Sequence, residues 1–119
     1  MSGATTKYMA ILGAVALLPT FVLAQGSPAK GKDLYTKQCA GCHGPAGKGD
    51  GPAAAVINPK PGDFTNKAHM TALKDQYLFD LIQKGGAAVG KSPLMTPFGS
   101  KLKDGEIQDL IAYVRSLAK

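Results

Sequence analysis

Cys39-Ala40-Gly41-Cys42-His43 places two thiols three positions apart and an imidazole directly after the second. That spacing reads as a c-type haem attachment site, in which two cysteine sulfurs form thioether bonds and the adjacent histidine becomes an axial iron ligand. These are the only two cysteines of the chain, and His43 is one of only two histidines. A redox dithiol built from Cys39 and Cys42 is the competing reading of the pair. It usually needs a strand leading into the first cysteine, and no segment here alternates apolar and polar residues over strand length.

The chain has 119 residues, the length of one small domain. Its first 24 residues read as a cleaved signal peptide: Lys7 precedes an apolar run over 8–23, and Val22-Leu23-Ala24 carries the residue types a signal peptidase reads. The run is shorter than the ~20 apolar residues that span a bilayer, and Pro19 interrupts it, so a permanent anchor is the weaker reading. The expected layout is therefore a signal peptide over 1–24 and one domain over 25–119, exported to the periplasm with no stable membrane insertion after cleavage. A domain of this size rich in glycine and proline has little core of its own, and a covalently held haem would supply an apolar centre. The net charge of +6 comes from lysines spread singly along the chain. Nucleic-acid binding needs them clustered, so that class is set aside; a basic face suits encounter with acidic protein partners.

Ser27-Pro28 predicts a helix start, with serine as N-cap and proline in the first turn, and the helix should end near Gln38. Gly31 inside it costs about 1 kcal/mol relative to alanine, which makes sense only where another helix crosses very close. The following stretch, Gly44-Pro45-Ala46-Gly47-Lys48-Gly49-Asp50-Gly51-Pro52, is a loop and lacks the spacing of a phosphate-binding motif. A turn of helix is expected near 53–57, then an extended path through Asn58-Pro59-Lys60-Pro61-Gly62. A second helix is predicted from Asp75 to Lys84 with Gly85-Gly86 as its stop, and a third from Asp104 to about Ala118. The third carries a continuous apolar stripe of Ile107, Leu110, Ile111, Val114 and Leu117. Lys74 and Lys103 precede these helices and are poor caps, which leaves the work to neighbouring acidic groups. The predicted class is all-α with long loops, a pattern expected when a chain wraps a cofactor.

If His43 holds one side of an iron, the other side falls to Met95, Met70 or His69. Met95 sits in Ser92-Pro93-Leu94-Met95-Thr96-Pro97-Phe98-Gly99, where two prolines fix the backbone around the sulfur. Methionine is more often a core gap-filler, but the proline bracket suits a positioned loop better than a packed helix. His69 reads as a surface residue.

The whole of 28–119 resembles the class I c-type cytochromes, small monohaem electron carriers. Beyond the pentapeptide Cys39–His43, the resemblance rests on Gly31 and Tyr35 ahead of the first cysteine, on Leu110 and Tyr113 in the last helix, and on Gly51-Pro52 after the haem histidine. It implies a cytochrome c fold of three main helices and long loops around one haem c. Cys39 and Cys42 would anchor that haem, with His43 and Met95 as the iron ligands. It further implies that Gly31/Tyr35 and Leu110/Tyr113 mark two crossing helices, and that the Pro52 carbonyl accepts the proton of His43's other ring nitrogen. Such a bond fixes the tautomer. The family's Met/His pair favours ferrous iron and a raised potential. The implied function is one-electron transfer without enzymatic turnover, as a monomer meeting a redox donor and acceptor with acidic docking faces. A haem sensor with an open iron position and a bound subunit of a larger redox complex are the alternatives.

Overall fold

The computed structural model describes Gly3, residues 10–17 and residues 26–119. The expected cleavage point after Ala24 lies outside the described residues. Ile11, Leu12, Val15 and Leu17 are exposed, and among the described residues no helix is long and apolar enough to cross a membrane.

The described chain is helical and contains no strand. Helix α1 runs Pro28–Gln38, beginning where the Ser27 side chain accepts a bond from the Lys30 amide. A single turn, α2 (Ala40–His43), follows at once and carries the cysteine–histidine motif. A 3-10 turn at Ala54–Val56 leads through the proline-rich loop to α3 (Lys67–Ala72) and α4 (Asp75–Lys84). A second 3-10 turn at Gly86–Val89 opens the loop that returns to α5 (Asp104–Leu117). The three main helices are those expected; α3 is an addition, started by Asn66, whose side chain accepts from the His69 amide at 2.9 Å.

The crossing of α1 and α5 organises the domain, and Gly31 is its point of closest approach. A Cβ placed there would overlap the Asp109 carbonyl and come within 2.8 Å of Tyr113 Cβ. Only a residue without a side chain lets the two backbones meet, which offsets the helix-propensity cost of glycine. Around this point Asp109 accepts from the Ser27 amide at 2.6 Å, and the Tyr35 and Tyr113 rings pack with centroids 5.1 Å apart. The apolar stripe of α5 is buried as predicted at Ile107, Leu110, Ile111 and Val114, and Tyr35, Met70, Leu78 and Leu102 complete the core.

The two poor caps fare differently. At α5, Glu106 reaches back to accept from the Lys103 amide at 3.4 Å, half of a capping box. At α4 no side chain accepts from the first-turn amides, and Asp75 supplies only an acidic group near the helix start; the junction before it is held by Arg115, the chain's one arginine. Its guanidinium donates to the carbonyls of Met70 and Leu73 and to the Asp75 carboxylate. A single planar fork thus ties the end of α3 and the Asp75 side chain to α5. Asp75 is largely exposed, so the two carbonyls matter more than the ion pair.

Two outcomes follow for the haem-loaded protein in urea unfolding. Gly31→Ala forces α1 and α5 apart and should cost about 3 kcal/mol, at the upper end of overpacking effects; an unchanged midpoint would contradict the close crossing. Arg115→Met leaves the Leu73 carbonyl without its donor, while the Met70 carbonyl keeps the Leu73 amide, and should cost about 1–2 kcal/mol, with Arg115→Lys recovering only part of it because an ammonium cannot reproduce the fork.

Candidate haem site

The turn after α1 fixes the motif locally. The amides of Cys42 and His43 both donate to the Cys39 carbonyl, at 3.2 and 2.9 Å, which holds the two sulfurs and the imidazole on one helical turn. The following loop then folds back onto that turn. Gly49, Gly51 and Ala53 donate their amides to the carbonyls of His43, Cys42 and Gly41 at 2.8, 3.1 and 3.0 Å. Pro52 therefore sits between two residues bonded to the motif.

Cys39, Cys42 and His43 open into a cavity of about 360 Å³, within the ~300–1,000 Å³ usual for cofactor and ligand sites. Its walls are mainly apolar, with Leu78 and Ile82 from α4, Leu110 and Val114 from α5, and Phe64 and Phe98 from loops. Lys60 and Lys91 also line it, and no carboxylate does.

Of the three candidates for the second iron position, the structure separates two from the third. Met70 is 1% exposed and belongs to the core cluster rather than to the cavity wall. Met95 and His69 both line the cavity. Met95 is half-buried, whereas His69 is exposed, as the sequence predicts. The Met95 loop is held by its backbone: Gly86 donates to the Met95 carbonyl at 2.8 Å, Met95 donates to the Ser92 carbonyl at 3.2 Å, and Phe98 donates to Ile82 at 3.0 Å. Gly86 therefore does more than stop α4. A Cβ on it would overlap the Ser92 carbonyl, so glycine there lets the Met95 loop lie against the helix end.

Burial sets the charge state of the motif. It lowers the His43 imidazole to about 4, because the protonated form loses its solvation. The ring is thus neutral at physiological pH, the form that ligates a metal. Burial, and secondarily Cys42, pushes the Cys39 thiol up to about 12. A redox-active dithiol needs a stabilised thiolate, so this environment opposes the dithiol reading.

His43 Nδ1 is buried and has no hydrogen-bond partner. The bond expected to the Pro52 carbonyl is therefore not made in this geometry, although the loop bonds place Pro52 beside the motif. The ring is instead held on its face: Phe64 stacks on the imidazole with centroids 4.8 Å apart and planes 20° from parallel. Neither Phe64 nor the Arg115 fork is visible as a pattern in the sequence, since each depends on partners distant along the chain. The Asn66 cap is the one missed feature with a local signal.

The donor set fits a haem c. Two thiols lie on one turn, a neutral imidazole follows, a thioether comes from a separately anchored loop, and all four line one apolar cavity free of acidic groups.

Comparison with known proteins agrees. Residues 28–118 match the family described as Cytochrome c. Cytochrome c-554(547) of Halothiobacillus neapolitanus is 31% identical over 94 residues, covering 77% of this chain and 98% of that protein. Among solved structures, the KustC0563 c-type cytochrome superposes with a TM-score of 0.62 at 24% identity, covering 75% of this chain and 98% of its own, a likeness of fold. A chain of the Kuenenia stuttgartiensis reducing HAO-like protein complex Kustc0457/Kustc0458 superposes with a TM-score of 0.60 at 28% identity, covering 75% of this chain but 41% of its own. The fold, the cavity and the family match agree, and the chain belongs to the cytochrome c family.

Proposed function

We propose that this chain is a periplasmic monohaem electron carrier whose single haem c is bonded to Cys39 and Cys42 and whose iron is held by His43 and Met95. The observation that carries the reading is the convergence of these four side chains on one apolar cavity, with Met95 on a loop anchored independently of any cofactor. Bound there, the haem supplies a one-electron ferric/ferrous couple.

The chain's own contribution is to place and enclose that couple. The α2 turn presents both sulfurs and the neutral imidazole together. The Met95 loop closes the other ligand position, leaving no site for a substrate, which fits a carrier rather than an enzyme. Thioether sulfur, apolar walls and the absence of lining carboxylates all favour the less positive ferrous state. The Pro52 carbonyl is the proposed acceptor for the His43 Nδ1 proton, supported by the two backbone bonds that flank it. Lys60 and Lys91 at the cavity, with the other scattered lysines, suit encounter with acidic donor and acceptor proteins. The signal peptide over 1–24 and a monomeric state belong to the same proposal. The similarity to a chain of a larger redox complex favours a second reading, a cytochrome docked in an assembly; native size-exclusion separates the two.

Mass spectrometry of the exported protein should give residues 25–119 plus one haem. Replacing both Cys39 and Cys42 by alanine should let the haem extract into acidified organic solvent, and retention of haem by that variant would contradict the attachment. The oxidised protein should show the near-infrared sulfur-to-iron charge-transfer band. Met95→Ala should abolish this band, admit carbon monoxide rapidly to the reduced form, and lower the potential by a sizeable part of the ~0.8 V span that axial ligands cover. His69→Ala should do none of these.

A further inference from the structure

The geometry points to Phe64 as the residue that sets the plane of the His43 imidazole, a positioning role braced by Tyr35. The inference rests on His43 being the iron ligand.

An imidazole on a fixed backbone can still turn about its Cβ–Cγ bond. Two things can stop it: a hydrogen bond in the ring plane at Nδ1, or a surface against its face. Ligating histidines usually rely on the first. The Pro52 bond proposed above would act in the ring plane, but Nδ1 has no partner in this structure, and the face of the ring is already covered by Phe64 at 4.8 Å and 20° without it. A ring turned out of this plane would drive an edge into Phe64, so the contact restricts rotation even with Nδ1 unbonded.

Phe64 can impose an orientation only if it is itself fixed. Its amide donates to the Gly47 carbonyl at 2.7 Å, tying it to the loop that follows the motif. The Tyr35 ring also meets it in a T-shaped contact, with centroids 6.5 Å apart and planes at 68°, the arrangement aromatic pairs prefer. Tyr35 is 1% exposed, and its hydroxyl donates to the Gly44 carbonyl at 2.6 Å, on the residue directly after His43. Tyr35 thus secures both the aromatic wall and the backbone next to the ligand. It is also locked in the α1–α5 crossing by Tyr113. The imidazole plane is in this way referenced to the helix crossing.

The test is proton NMR of the oxidised haem-loaded protein, in which the spread of the hyperfine-shifted haem-methyl resonances reports the orientation of the axial ligands. Phe64→Leu and the more flexible Phe64→Met should displace that pattern or split it into more than one set. Phe64→Tyr, which keeps the planar face, should restore it. Tyr35→Phe keeps the ring but loses the Gly44 bond, and should lower the unfolding midpoint while displacing the pattern less than Phe64→Leu. A haem-methyl pattern in both Phe64→Leu and Phe64→Met that superimposes on the wild type would overturn the positioning role. The wild-type spectrum must itself contain hyperfine-shifted His43 ring protons. Their absence would remove the ligand assignment and the inference together, whereas their presence with unmoved variants would remove the inference alone.

Discussion

The close contact between the backbones of α1 and α5 at Gly31 is the constraint on which the rest of the molecule depends. It sets the height of α1 over the last helix, and so decides where the turn after α1 delivers Cys39, Cys42 and His43. The same crossing turns Leu110 and Val114 toward the space that those residues face. A side chain at position 31 would separate the two helices and enlarge the cavity on one edge. The position of the redox centre is thus determined first by a place where there is no side chain.

The second requirement is an apolar interior in a small domain. The core residues form one cluster against α5, and the cavity beside it is too large and too apolar to stay empty without loss of packing. A haem bonded through two sulfurs answers this as a wall of the core. On the proposed ligation, holding it through α2 and the Met95 loop would link two distant parts of the chain. Fold stability and redox tuning therefore depend on the same contacts, and substitutions at the crossing should be felt at the iron.

How much of this was legible depended on the range of the interaction. Ser27-Pro28, Gly85-Gly86 and the stripe on α5 act within a turn or two, and the limits of α1, α4 and α5 followed from them within a residue. Gly31 was readable because a glycine inside a helix costs stability and asks for a reason. The attachment motif and the proline-bracketed Met95 were readable for the same local reason. Helix α3 was too short to show a period and carried only the Asn66 cap. The Arg115 fork spans some forty residues of sequence, so nothing near Arg115 marks it. Phe64 lies in a loop with no periodicity, and its meaning comes wholly from the ring it stacks on. The expected Pro52 bond shows the limit from the other side: the loop was placed correctly beside the motif, yet the bond to the orphaned nitrogen is not formed in this structure.

The central claim is that the iron is closed by His43 and Met95. It is tested most directly by proton NMR of the fully reduced protein, where the porphyrin ring current acts on whatever side chain sits on the iron axis. With Met95 on the iron, a three-proton methyl resonance lies far upfield and disappears in Met95→Ala. No such methyl, with the ring protons of His69 shifted in its place, would contradict it.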